Sequence, residues 1–243
     1  MCPTRVVLPT MQYLTSMLYR LPRMLTGAIL MGVMLISAML ISAMLASGLL
    51  TSAFAADETP EAFIKRLSGD VIDAIKTDKS IAAGDINKIV VLVDQKVMPS
   101  VNFLRMTASA VGPSWRQATP EQQKRLQEEF KTLLVRTYSG ALSQFNDQTI
   151  VIKPVRAAPD DKEVVVRTEV RGKGDPIQLD YRVEKAADAP AGWRIYNLNV
   201  MGVWLVDNYR SQFAQEINAK GVDGLIASLA DRNKSNAAKP QGK

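Results

Sequence analysis

The chain has 243 residues, 30 lysines and arginines against 24 aspartates and glutamates, one cysteine and no histidine. Without histidine, Ser-His-Asp and Cys-His nucleophilic sites are excluded, and so are the usual zinc sites. No G-x-x-x-x-G-K-[ST] or G-x-G-x-x-G run is present to cradle a phosphate.

From Met1 to Ala55 there is no acidic residue, and Arg5, Arg20 and Arg23 are the formal charges. The run from Met24 to Leu50 is almost continuously apolar, and Ala53 and Ala55 supply the small residues of a cleavage site. A basic start, an apolar run and an A-x-A end describe a secretory signal over residues 1–55, cleaved after Ala55, with a possible internal start at Met24. The rival reading is a retained anchor, since an apolar run of about 18 residues suffices to span a bilayer. Either way Arg20 and Arg23 stay inside and residues from 56 onward face the exported side. Cys2 would leave with the leader. Taking its three arginines from 30 basic residues, against 24 acidic ones, leaves a mature charge of +3. That is too mild to argue for nucleic acid.

Residues 57 to about 147 read as helices. Thr59-Pro60-Glu61 is an N-cap followed by proline at the first helical position, and Phe63, Leu67, Val71 and Ile75 share one face. A second stripe runs Ile86, Ile89, Val90, Val93 and Val97 until Pro99 ends it. Thr119-Pro-Glu-Gln122 is a capping box opening a long helix with Leu126, Phe130, Leu133, Leu134, Tyr138, Leu142 and Phe145 inward.

After Asp147 the apolar period changes to two. The expected strands are 149–156, 163–171, 176–185 and 193–203, parted by turn-forming segments. Val164, Val166, Thr168 and Val170 alternate with charged positions, and so do Ile177, Leu179, Tyr181 and Val183. That alternation predicts an antiparallel sheet with one covered and one wet face. On the wet face Glu169, Asp180 and Glu184 lie beside Arg167, Arg171 and Arg182, a pattern that cross-strand pairing explains without catalysis. A helix then runs from Leu205 to a stop at Gly221, and a short one carries Leu225, Ile226 and Leu229. The polar tail 233–243 is expected to be disordered. The whole is an α+β domain, residues 56–232, with helices on one face of a curved sheet of about four strands.

Several segments together carry a family resemblance. They are Pro99-Ser-Val-Asn-Phe-Leu-Arg-Met-Thr107, Gly112-Pro-Ser-Trp-Arg-Gln-Ala-Thr-Pro-Glu-Gln122, Phe130-Lys-Thr-Leu-Leu-Val-Arg-Thr-Tyr138, Trp193-Arg-Ile-Tyr-Asn-Leu-Asn-Val200 and Leu205-Val-Asp-Asn-Tyr-Arg-Ser-Gln-Phe213. In these the chain resembles the MlaC, or toluene-tolerance, family of periplasmic lipid carriers. The resemblance implies a nuclear-transport-factor-like fold with an apolar pocket between sheet and helices. It implies no catalysis and no cofactor beyond a bound lipid, phospholipid first and a hopanoid as the alternative. It also implies a monomer that meets an outer-membrane lipoprotein–porin complex and, through its substrate-binding subunit, an inner-membrane ABC transporter. Two classes compete: an enzyme on a related cone-shaped fold, which would need a buried acid–base pair at the pocket floor, and a membrane-tethered scaffold. If the pocket exists, periodicity puts Val164, Val166, Leu179, Tyr181 and Val183 on one wall. Phe103, Met106, Leu134 and Tyr138 would form the facing wall, with Leu205 and Tyr209 near one end.

Overall fold

The computed structural model describes residues 58–238, apart from 144–147, 159 and 173. The predicted leader, residues 1–55, lies outside the described residues, as does the end of the tail.

Helix α1 (Pro60–Thr77) opens where the Thr59 hydroxyl accepts the Ala62 N–H at 3.2 Å. Proline at the first helical position lacks an N–H that no residue there would have used. A short turn, α2 (Lys79–Ala82), leads to α3 (Ile86–Leu92), capped by Asp85. This helix loosens through a π turn (Val93–Val97) and a 3-10 turn (Met98–Ser100), because Pro99 cannot continue an α-helical ladder. Asn102 caps α4 (Phe103–Val111), its side-chain oxygen accepting the Arg105 N–H at 3.0 Å. Helix α5 (Pro120–Ser143) begins with the anticipated capping box. The Thr119 hydroxyl accepts Gln122 N–H at 3.2 Å, and Gln122 Oε1 accepts Thr119 N–H at 3.0 Å.

Among the described residues the sheet has five antiparallel strands in sequence order: β1 (Thr149–Ile152), β2 (Glu163–Arg171), β3 (Ile177–Lys185), β4 (Trp193–Val200) and β5 (Val203–Trp204). The expected count of about four is corrected to five. The span read as one strand to residue 203 turns back at Met201 and Gly202, both in the left-handed region at φ 51° and 88°, making β5 a separate strand. β1 stops at Ile152 and not at 156, the Lys153 N–H making the last backbone bond to β2. Between β3 and β4 the register shifts at Arg182/Val183, leaving Tyr196 as the extra residue.

Helix α6 (Leu205–Ala238) continues past Gly221, where φ 72° and ψ −176° break the helical path. The glycine therefore ends the first of two helices, as the sequence predicts, and the second follows directly across the kink. The prediction of a disordered tail from residue 233 is also corrected. Residues 233–238 are helical, and Asn233 is 5% exposed, donating to the Glu129 carbonyl at 3.0 Å and its carboxylate at 2.8 Å.

The interior divides into clusters. One joins α4, α5 and α6 around Phe130, whose ring meets Tyr209 at 4.9 Å, Phe213 at 5.2 Å and Phe103 at 5.8 Å between centroids. Another packs Phe63, Ile64 and Leu67 of α1 on Val164, Val166, Tyr181, Val183, Trp193 and Ile195 of the sheet. A small third cluster joins Ile75, Ile81, Ile89 and Leu92. Each fully buried large aliphatic or aromatic side chain stabilises the fold by about 1.5–3 kcal/mol relative to exposure.

Candidate functional site

The eleven predicted lining residues fall into two groups. Phe103, Met106, Leu134, Tyr138, Leu205 and Tyr209 all belong to the helical cluster. Val164, Val166, Leu179, Tyr181 and Val183 all belong to the sheet cluster. Val101 and Leu198 pack against both. The two walls therefore meet along a narrow apolar seam, at which Val101 bridges in parallel to Ile195 and the Asn102 N–H donates to the Ile195 carbonyl at 2.8 Å.

Sequence reasoning did not assign Phe63, Ile64, Leu67, Trp193, Ile195, Val101 or Leu198 to the site. The sequence marks helix α1 as amphipathic, but periodicity tells which side of a helix is apolar and not which surface receives it. The Trp193 indole N–H fixes the start of α1 by donating to the Glu58 carbonyl at 2.7 Å.

A few polar groups sit among the apolar ones. The Tyr181 phenol is pushed up to about 12 by burial, against which hydrogen bonds with Ser68 and Thr168 act in the opposite direction. Ser68 and Thr168 are themselves buried. Burial also raises the phenols of Tyr138 and Tyr209. At the helical end of the seam Arg105 binds both Glu184 and Glu163, the latter at 2.7 Å. Asn102 Nδ2 donates to Glu184 at 2.7 Å, and the Tyr196 hydroxyl donates to Glu163 at 2.8 Å. These bonds tie α4 to β2, β3 and β4.

The outer sheet face is not uniformly wet. Asp180, Asn197 and Asn199 are buried there, while Ile177, placed on the covered side, is 43% exposed. Asn197 Oδ1 accepts Leu198 N–H at 2.9 Å and Val206 N–H at 3.1 Å, securing the first turn of α6. Arg182 lies over Trp204 at 4.0 Å and pairs with Asp207 at 3.3 Å. Glu169 pairs with Lys153 at 2.6 Å and Arg171 at 2.7 Å. Asp180 instead accepts Gln178 Nε2 at 2.6 Å.

Two cavities are polar. One of about 440 Å³ lies against Leu133, Glu216, Ser228, Asp231 and Arg232, and one of about 460 Å³ borders the start of β2. Among the described residues no group of three or more histidine, cysteine, aspartate or glutamate side chains could hold a metal ion. Among the same residues no helix is long and apolar enough to cross a membrane.

The chain is similar to known proteins. The toluene tolerance protein ttg2D of Pseudomonas putida is 28% identical over 170 residues, 69% of this chain and 77% of that protein. The intermembrane phospholipid transport system binding protein MlaC of Haemophilus influenzae is 21% identical over 176 residues, 72% of this chain and 82% of that protein. Among solved structures, a phospholipid-binding protein from Ralstonia solanacearum in complex with a phospholipid superposes with a TM-score of 0.70 at 47% identity. The match covers 73% of this chain and 98% of that one. The family model described as MlaC protein matches residues 65–231, spanning α1 to the C-terminal half of α6. On that match, the chain belongs to the MlaC family.

Proposed function

We propose that this protein is a non-catalytic lipid carrier of the periplasm, exported by a cleaved leader. It takes up a phospholipid with the acyl chains between the sheet cluster and the helical cluster. It would move its cargo between an outer-membrane lipoprotein–porin complex and an inner-membrane ABC transporter, and so maintain outer-membrane asymmetry.

The observation that carries this reading is the seam. The sheet-and-α1 cluster and the α4–α5–α6 cluster are each packed internally, and Val101 and Leu198 touch both. An acyl chain lying between these two layers would meet apolar side chains on both sides. The phospholipid bound to the 47% identical Ralstonia protein supports the cargo class.

The energetics explain why a carrier is needed. At about 0.8 kcal/mol per methylene, two acyl chains with roughly 30 methylenes are stabilised by about 24 kcal/mol out of water. No lipid crosses an aqueous gap quickly against that cost. An apolar interior comparable to a bilayer makes loading nearly isoenergetic, so direction must be imposed by the partners.

The test is transfer of a fluorescent phospholipid from donor to acceptor vesicles held apart by a dialysis membrane that passes the protein. The reading predicts transfer that rises with protein concentration. Transfer no faster than in buffer alone would overturn it.

A further inference from the structure

Strand β2 is longer than the strand that covers its outer edge. β1 pairs with Thr168–Arg171, and the last rung is the Lys153 N–H donating to the Arg167 carbonyl at 2.9 Å. On the other side Lys185 N–H donates to the Lys162 carbonyl. Backbone groups alternate between neighbours along an antiparallel strand, so residues 163, 165 and 167 direct theirs toward β1. Beyond Lys153 the chain passes through Pro154 and leaves the ladder. Among the described residues no backbone bond is formed to the N–H or carbonyl of Val165 from that side.

What stands beside this open edge is the 460 Å³ groove, lined by Val155, Arg156, Asp161, Glu163, Val165 and Arg167. Its acids are already engaged: Glu163 binds Arg105 and the Tyr196 hydroxyl, and Asp161 accepts the Ala158 N–H at 2.8 Å. Its arginines are not. Among the described residues the side chain of neither Arg156 nor Arg167 makes an ion pair or hydrogen bond. Val165, 39% exposed, adds an apolar contact at the centre.

We propose that this groove docks an extended acidic segment of a partner protein, which adds as a strand to β2 over Glu163–Arg167. Unpaired strand edges are templates for added strands, and main-chain bonds supply affinity while side-chain pockets supply choice. Here the choice is set by charge: two uncompensated guanidiniums favour glutamate or aspartate in the incoming strand. Apolar residues at alternate positions would meet Val155 and Val165. The surface is separate from the seam and does not depend on what the seam holds.

The test uses the protein as processed by the expressing cell, with two capped synthetic peptides, one alternating glutamate with valine and one alternating lysine with valine. Amide hydrogen exchange is followed by NMR at Val165 and Arg167. The glutamate peptide is expected to slow exchange at Val165 at least roughly tenfold, as a new ladder bond would. The exposed double variant Arg156→Glu/Arg167→Glu should lose that protection and gain it from the lysine peptide instead. Equal protection by both peptides with the native protein, or none by either, overturns the proposal. So does protection of Val165 that appears with protein concentration alone, which would give the edge to a second copy of this chain.

Discussion

The Arg105 guanidinium lies over the Tyr196 ring, 3.7 Å from its centroid, and from there reaches the carboxylates of Glu184 and Glu163. One side chain of α4 thus gathers residues from three strands at the end of the seam. The Arg105 hydrogen bond, and then that of Tyr196, hold the Glu163 carboxyl below the usual carboxylate range.

Arg105→Met keeps the aliphatic stem and removes the charge, leaving Glu184 half-buried without its cation. The expected loss is about 1–3 kcal/mol, read as a lower urea midpoint at neutral pH. A carboxyl with a lowered folded pKa contributes stability present above its unfolded value and lost as pH falls through the folded one. The native protein should therefore weaken on the acid side, and Arg105→Met should weaken less steeply there. An unchanged acid limb in the variant would count against the network.

Tyr181 predicts the opposite limb. With its phenol at about 12, its contribution is complete below the ordinary value of 10 and is lost as pH rises between the two. The loss across that window is on the order of 2–3 kcal/mol. Tyr181→Phe should flatten the alkaline limb without abolishing it, since burial also raises Tyr196 and Tyr209. Denaturant midpoints taken up the alkaline range check this. A variant with the native alkaline slope would contradict the buried position of the hydroxyl.

Two glycines give predictions of opposite sign. A Cβ at either Gly221 or Gly69 would have nothing within 4 Å. Gly221, however, stands at φ 72° and ψ −176°, whereas Gly69 lies within α1. Gly221→Ala should cost about 1–3 kcal/mol through backbone strain alone. Gly69→Ala should instead stabilise by about 0.5–1 kcal/mol, by helix propensity. Thermal midpoints moving in opposite directions are the expected outcome.

The sheet wall can be tested at Leu179, which is partly buried in the sheet cluster and so offers a replacement room to project outward. Leu179→Arg should retain the native circular dichroism and lose co-purifying lipid. Lipid at the native stoichiometry in a folded variant would mean that this wall does not face the cargo.

The fold was legible wherever one periodicity ruled. β2 alternates as read, Val164, Val166, Thr168 and Val170 being buried and their neighbours more exposed. The capping box at Thr119 forms in full. Legibility ended where a second element covers a face that period alone marks as wet. Asp180, Asn197 and Asn199 alternate like solvent-facing residues, yet they are buried near β5 and the first turn of α6. Asn233 is similar, a polar residue in a polar tail whose amide is held by Glu129 on a helix about a hundred positions earlier. The proposed lining shows the same boundary: each residue's inward direction followed from period, but the pairing of the sheet with α1 is long-range.

The most direct measurement is native mass spectrometry of the protein as processed by the expressing cell, followed by lipid extraction from the same sample. The carrier account predicts a one-to-one adduct whose released mass is that of a phospholipid, lost in Leu179→Arg. A bare protein mass that stays bare after incubation with phospholipid vesicles would contradict it.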